Sequence, residues 1–120
     1  MRMLALLGLL LSLSAPAAEM LTAPQKKEVL AAIDTICADT WCEGEYDYRF
    51  KSISCSTVSH RCSVGVHLRY EGKTTPHTCE VGGIRSIRDI LRTKSGWGSL
   101  TESFYRKMTD CVSSLEPDYN

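Results

Sequence analysis

The chain has 120 residues, with 14 Lys and Arg against 14 Asp and Glu, so its formal net charge is zero at pH 7. This length favours a single domain, and a hydrophobic content of 43% with so little net charge excludes a disordered chain. A neutral balance also argues against a protein that coats nucleic acid, because that role requires a large excess of cations. We therefore expect a small folded domain without a nucleic acid partner.

The first 17 residues have the pattern of a secretory signal peptide. Arg2 supplies a positive charge, residues 4–13 are almost wholly apolar, and Ala15 and Ala17 are the small residues that a signal peptidase recognises. The apolar run is shorter than the roughly 20 residues that a membrane-spanning helix needs. We predict cleavage near Ala17 and a mature domain of residues 18–120. This domain is expected to be secreted or periplasmic, without stable insertion in a membrane.

Six cysteines lie in the predicted mature domain. In the oxidising compartment that an exported chain enters, an even number of cysteines in a small domain indicates disulfides. No Cys-x2-Cys pair occurs, so the spacing does not match a common structural zinc site, and no metal or cofactor is expected. The elements that carry the cysteines favour three pairs: Cys37 with Cys42, Cys55 with Cys62, and Cys79 with Cys111.

The first predicted element of the mature domain is a helix over about residues 23–37. Thr22 and Gln25 have the spacing of a capping box, in which each side chain bonds the backbone of the other residue. Apolar residues then recur at helical spacing, at Val29, Leu30, Ile33, Ile36 and Cys37. Trp41, at the end of this helix, is expected to cover the small core.

Three strands are predicted next, from the alternation of apolar and polar residues. Tyr46, Tyr48 and Phe50 mark the first, Cys62 to Tyr70 the second, and residues 77–81 a short third strand that Gly82 and Gly83 end. Pairing Phe50 with Val66 conflicts with pairing Ile53 with Val64, because the two pairs need registers that differ by one residue. A β-bulge near Lys51 and Ser52 would reconcile them.

Two helices are predicted after the strands. The first contains Ile84, Ile87, Ile90 and Leu91, and the second begins at a capping box of Ser99 and Glu102. We therefore predict an α+β fold with an N-terminal helix, a three-stranded antiparallel meander and two C-terminal helices packed on one face, held together by disulfides.

The strongest candidate for a binding surface is the first of these C-terminal helices. Arg85, Arg88 and Arg92 are spaced i, i+3 and i+7, which places them in one basic ridge on a helix, and Lys94 follows. Guanidinium groups suit carboxylate or phosphate partners, and Trp97 is a residue type enriched where proteins bind each other. The ordinary alternative is a solvated helix face, with Trp97 packed in the core.

Charge is segregated along the chain. Residues 19–48 contain seven acids and two bases, whereas residues 49–107 contain eleven bases and four acids. This segregation favours an anionic partner at one face, unless the two segments lie side by side and neutralise each other.

Sequence motifs for catalysis are few. The chain lacks Gly-x-Ser-x-Gly and His-Glu-x-x-His, so two of its three histidines would have to supply the acid and the base. We therefore expect an exported binding protein without catalysis, such as an inhibitor, an immunity-type protein or an envelope accessory factor. The alternative is a small secreted nuclease-like hydrolase that uses two histidines and a basic residue.

Overall fold

The computed structural model describes residues 18–42, 44–92 and 99–117. The predicted signal peptide, residues 1–17, lies outside the described residues. The regular elements are helix α1 (Ala23–Ile36), strands β1 (Asp47–Ser56), β2 (Arg61–Tyr70) and β3 (Lys73–Gly82), and helix α2 (Glu102–Leu115).

The three strands form an antiparallel sheet in the order β1-β2-β3. Helix α1 packs against β1 and helix α2 against β3. The buried side chains of both helices and all three strands belong to one core cluster, so the helices lie on the same face of the sheet. The α+β fold with a three-stranded meander is therefore confirmed. We call the end of the sheet where β1 turns into β2 the hairpin end.

Helix α1 begins at the predicted capping box. Thr22 Oγ1 accepts a hydrogen bond from the Gln25 backbone N–H (3.2 Å), and Gln25 Oε1 accepts one from the Thr22 N–H (2.9 Å). After Ile36 the chain continues as one π-helical turn, Cys37–Trp41. The Cys42 N–H donates to the Cys37 carbonyl at 2.8 Å, and a disulfide joins the same two residues. Two bonds thus close this turn.

Trp41 covers the core, as predicted. Its side chain is buried, and its ring stacks on Tyr105 with the ring centroids 5.8 Å apart. The indole Nε1–H donates to Thr109 Oγ1 at 3.0 Å. Because both partners lie on α2, Trp41 joins the end of the first helix to the second.

The sheet has the predicted register. Phe50 lies opposite Val66 and Ile53 lies opposite Val64, with a register shift between Phe50 and Ser52. The bulge is therefore confirmed. Because of the bulge, the apolar residues before it and those after it all point toward the helices. The residues of β1 that are buried in the core in this way are Tyr48, Phe50, Ile53 and Cys55.

The disulfides are those that the sequence favoured, namely Cys37–Cys42, Cys55–Cys62 and Cys79–Cys111. The first two link neighbouring parts of the chain. Cys79–Cys111 joins β3 to α2 across 32 residues and is the long-range cross-link of the core.

The C-terminal part corrects three predictions. Residues 84–91 form no α-helix but only a 3-10 turn, Ile87–Asp89, so in the described part of the chain a single α-helix follows the sheet instead of two. Helix α2 is capped by Thr101, whose Oγ1 accepts the Phe104 N–H at 3.3 Å, and not by Ser99. Strand β3 starts at Lys73, earlier than predicted, because it pairs with β2 along its whole length.

Candidate binding surface

The segment between β3 and α2 is held in a short turn by its own side chains. Asp89 Oδ2 accepts the backbone N–H groups of Arg85 (2.7 Å) and Ser86 (3.3 Å). The Ser86 side chain in turn accepts the Arg88 N–H at 3.2 Å. These reciprocal bonds form a capping box that starts a helical turn at residue 86.

This turn ends where the chain pairs with the residues just before α2. Leu91 forms an isolated antiparallel bridge with Leu100, and the Arg92 N–H donates to the Ser99 carbonyl at 2.6 Å. Backbone that is extended for this pairing cannot continue a helix, so the helical segment ends after a single turn. The basic ridge predicted from i, i+3 and i+7 spacing is therefore wrong as a helical feature, because Arg85, Arg88 and Arg92 do not share an α-helix.

A shallow groove of about 510 Å³ lies between this segment and the first turns of α1. Half-buried Ile87 and Leu91 supply its apolar surface, and Arg88 and Arg92 are exposed beside them. Gln25 and Glu28 of α1 complete the lining. The groove thus combines apolar side chains with charges of both signs. Arginine, which lines the groove twice, is among the residue types enriched at protein–protein interfaces.

Two of the four predicted binding residues meet in the groove. Arg88 and Arg92 line it, whereas Arg85 is exposed but does not line it. Among the described residues, the guanidinium groups of all three make no ion pair and remain available to an anionic ligand. Trp97 and Lys94 lie outside the described residues.

The three histidines do not form a catalytic pair. His60 lies in the turn between β1 and β2, whereas His77 lies opposite Val66 on the core face of the sheet. His60 lies six positions before Val66 in the chain, a distance of about 20 Å along a strand. His67 lies opposite Pro76 and faces the other side of the sheet from His77. The acid and base of the hydrolase alternative therefore do not converge.

The turn at the hairpin end is fixed by several bonds. The Cys55–Cys62 disulfide closes its base, and Ser56 Oγ accepts the N–H groups of Val58 (3.0 Å) and Ser59 (3.1 Å). The His60 carbonyl accepts the Ile84 N–H at 2.9 Å, which attaches the turn to the segment after β3. At its tip the Val58 side chain is 79% exposed.

Two cationic side chains, those of Arg61 and Lys107, lie beside this turn and close to the backbone of Gly82 and Gly83. Lys107 of α2 donates to the Gly82 carbonyl at 2.9 Å. Arg61 reaches over Gly82 so closely that a Cβ there would be 2.9 Å from Nη1. The sequence pattern predicted that Gly82 and Gly83 end a strand, but it did not predict Arg61 or Lys107 beside them. The Gly-Gly pair was the available signal, because adjacent glycines permit close approach to the backbone.

The described chain begins with a short segment that pairs with the edge of β1. The Met20 N–H donates to the Cys55 carbonyl, and the Thr57 N–H donates to the Ala18 carbonyl, both at 2.7 Å. The Glu19 carboxylate accepts the N–H groups of Leu21 and Cys55 at 3.0 Å. Partial burial opposes its ionised form, but hydrogen bonds from Ser54, Cys55, Leu21 and Lys26 outweigh it and lower the pKa of Glu19 to about 2.

Neither described helix is long and apolar enough to cross a membrane. In the described ranges, no three His, Cys, Asp or Glu side chains are grouped to hold a metal ion. Comparison with protein-family models, with curated proteins and with solved structures gave no match.

Proposed function

We propose that this chain is an exported protein that works by binding, with the groove between α1 and the 87–92 segment as its recognition site. Its partner is a protein segment that carries acidic residues. The composition of the groove carries this proposal, because Ile87 and Leu91 offer apolar contact beside the guanidinium groups of Arg88 and Arg92, which pair with no carboxylate among the described residues. An inhibitor, an immunity-type protein or an envelope accessory factor would act through such a surface.

The rigidity of the scaffold supports binding. A surface that is already ordered loses little conformational entropy when it captures a partner. Here the segment that lines the groove is held by the Asp89 and Ser86 side chains and by the bridge between Leu91 and Leu100. The three disulfides support export, because such bonds persist mainly in oxidising compartments.

The hydrolase remains the second candidate, but the structure offers it less support. Its mechanism needs two histidines within reach of one substrate, and the described chain places the three at separate positions. Absence of RNA and DNA cleavage by the purified oxidised protein would exclude it. Cleavage that a His60→Ala change abolishes would favour it.

Charge reversal tests the groove. We expect the triple variant Arg85→Glu, Arg88→Glu, Arg92→Glu to lose most capture of acidic proteins from the envelope of the native cell, because like charges then face the partner. The three side chains are exposed, so the melting temperature should change by no more than about two degrees. The measurement is affinity capture by the immobilised mature protein, with quantitative mass spectrometry of what it retains.

The matched control is Arg49→Glu, Lys51→Glu, Arg69→Glu, which alters three exposed bases on β1 and β2 and changes the net charge equally. Capture should survive in this variant. Equal retention by the two triple variants would contradict a role for the groove.

A further inference from the structure

The hairpin end presents a second surface, separate from the groove. We define the tip surface as Val58, Arg61, Gly82, Gly83 and Lys107. Val58 is the most exposed large apolar residue of the described chain, at 79%, and it stands on a turn whose base is closed by a disulfide. The bonds from the Val58 and Ser59 N–H groups to Ser56 Oγ hold the backbone of this turn in place.

The two cations of the tip surface are fixed by the Gly82-Gly83 backbone. Lys107 Nζ uses one of its three donors on the Gly82 carbonyl and lies 3.2 Å from where a Cβ of Gly83 would be. In the described part of the chain, no carboxylate lies within ion-pair distance of Lys107. Two of its N–H donors are thus left for a ligand.

Arg61 is only weakly neutralised. Its nearest carboxylate oxygen belongs to Glu80, at 3.9 Å from Nε, and its side chain is 53% exposed. That carboxylate also accepts the Ser63 hydroxyl at 2.8 Å, which holds it on the open face of the sheet. Arg61 approaches Gly82 from the open face, whereas Lys107 reaches it from the helical face. The two cations therefore lie on either side of one backbone corner.

We propose that the tip surface docks an acidic protein segment, with its carboxylates on Arg61 and Lys107 and an apolar side chain on Val58. Two separated cations suit two carboxylates of an extended segment. Val58, on the turn that leads into Arg61, offers an apolar contact that a bare phosphate could not make. Charge complementarity selects the partner, and the fixed geometry of the turn lowers the entropic cost of binding. This site goes beyond the groove, since it shares no residue with it.

A short fluorescein-labelled peptide of alternating Glu and Leu is the probe, and its affinity is measured by fluorescence anisotropy. We expect Arg61→Ala and Lys107→Gln each to weaken binding about fivefold, the upper range for an exposed charge pair. Val58→Ser should weaken it to a similar degree, because it removes apolar contact without touching a charge.

Gly82→Ala tests the geometry without removing a charge. The new methyl group would lie 2.9 Å from Arg61 Nη1, so the guanidinium must move away, while the backbone at this position accepts an alanine. Binding should fall as it does in Arg61→Ala. Unchanged binding would show that Arg61 does not act from its position over Gly82.

The matched controls are Arg69→Ala, on the same strand as Arg61 at the opposite end of the sheet, and Lys73→Gln, which removes another exposed lysine. Both should bind the peptide as the wild type does. Equal losses in the control and tip variants would overturn the proposal, and so would binding that only phosphatidylglycerol vesicles or polyphosphate show. A loss confined to Arg88→Glu and Arg92→Glu would refute the tip surface while leaving the groove supported.

Discussion

At the scale of single residues, the Glu19 carboxylate makes contacts that no periodic pattern in the sequence indicates. Its carboxylate accepts two backbone N–H groups, accepts the Ser54 hydroxyl at 2.6 Å and lies 3.3 Å from Lys26 Nζ. One side chain thereby joins the segment before α1 to both α1 and β1. The sequence predicts the capping box at Thr22 because its partners are three residues apart, but it cannot predict contacts with strand residues 35 and 36 positions away.

Replacement of Glu19 gives the first stability prediction. Its pKa is lowered from 4.5 to about 2, so its ionised form stabilises the fold above pH 4.5, and that contribution is lost as the pH falls toward 2. We expect Glu19→Gln to lower the free energy of unfolding by about 1 kcal/mol at pH 7, a modest value because solvent screens a partly exposed group.

The measurement for Glu19 is urea unfolding at several pH values, followed by tryptophan fluorescence. The difference between wild type and Glu19→Gln should narrow as the pH falls from 4.5 toward 2. The exposed Glu45→Gln serves as the control and should change stability little. A difference for Glu19→Gln that is independent of pH would contradict the proposed role of its charge.

At the scale of elements, the sequence predicts those features whose cause is local. The bulge follows from a change of phase within β1, and the start of α1 follows from two capping residues. Residues 84–91 have helical spacing yet form one 3-10 turn, because Ile84 is bonded to the hairpin turn and Leu91 to the residues before α2. These partners are distant in sequence. The meeting of Arg61 and Lys107 at Gly82 has the same kind of cause and was missed for the same reason.

The disulfide between β3 and α2 gives an element-scale prediction. A loop of this length, closed across 32 residues, stabilises the fold by roughly 3.7 kcal/mol on the chain-entropy model. We expect the double change Cys79→Ser, Cys111→Ser to lower the free energy of unfolding by about that amount in chemical denaturation. Cys37→Ser, Cys42→Ser, which opens a loop across only five residues, should cost about 2 kcal/mol. Equal losses in the two double variants would contradict the entropic account.

At the scale of the whole molecule, the charge segregation seen along the chain becomes a separation in space. The acidic residues Asp39, Glu45 and Asp47 follow α1 at the end of the sheet opposite the hairpin. There Asp47 pairs with Arg49, so these acids lie away from the bases of the hairpin end. The hairpin end carries seven of the bases: Lys26 and Lys27 of α1, Arg61 of β2, Arg85, Arg88 and Arg92 of the segment after β3, and Lys107 of α2. Acids also lie at this end, but they are fewer than the bases: Glu19, Glu28, Glu80, Asp89 and Glu102.

Ion-exchange chromatography tests this asymmetry. With 14 bases and 14 acids in the full chain, removal of Arg2 with the predicted signal peptide would leave one base fewer than acids. We nevertheless expect the mature protein to be retained on a cation exchanger at pH 7.5 and low salt, because its basic end can face the resin. The triple reversal at Arg85, Arg88 and Arg92 should abolish retention, and the triple reversal at Arg49, Lys51 and Arg69 should reduce it less. Elution in the void volume would contradict the separation of charge.

The Arg92 N–H donates to the Ser99 carbonyl, and Leu91 forms a bridge with Leu100. These two contacts hold the residues before position 93 next to the residues after position 98. Arg92 and Ser99 therefore lie side by side, and lengthening the chain between two such fixed positions carries only a small entropic cost. A genetically encoded fluorescent reporter inserted there would sit next to Arg92 and the groove. The fluorescence of such a fusion protein would report the binding of a ligand in the groove.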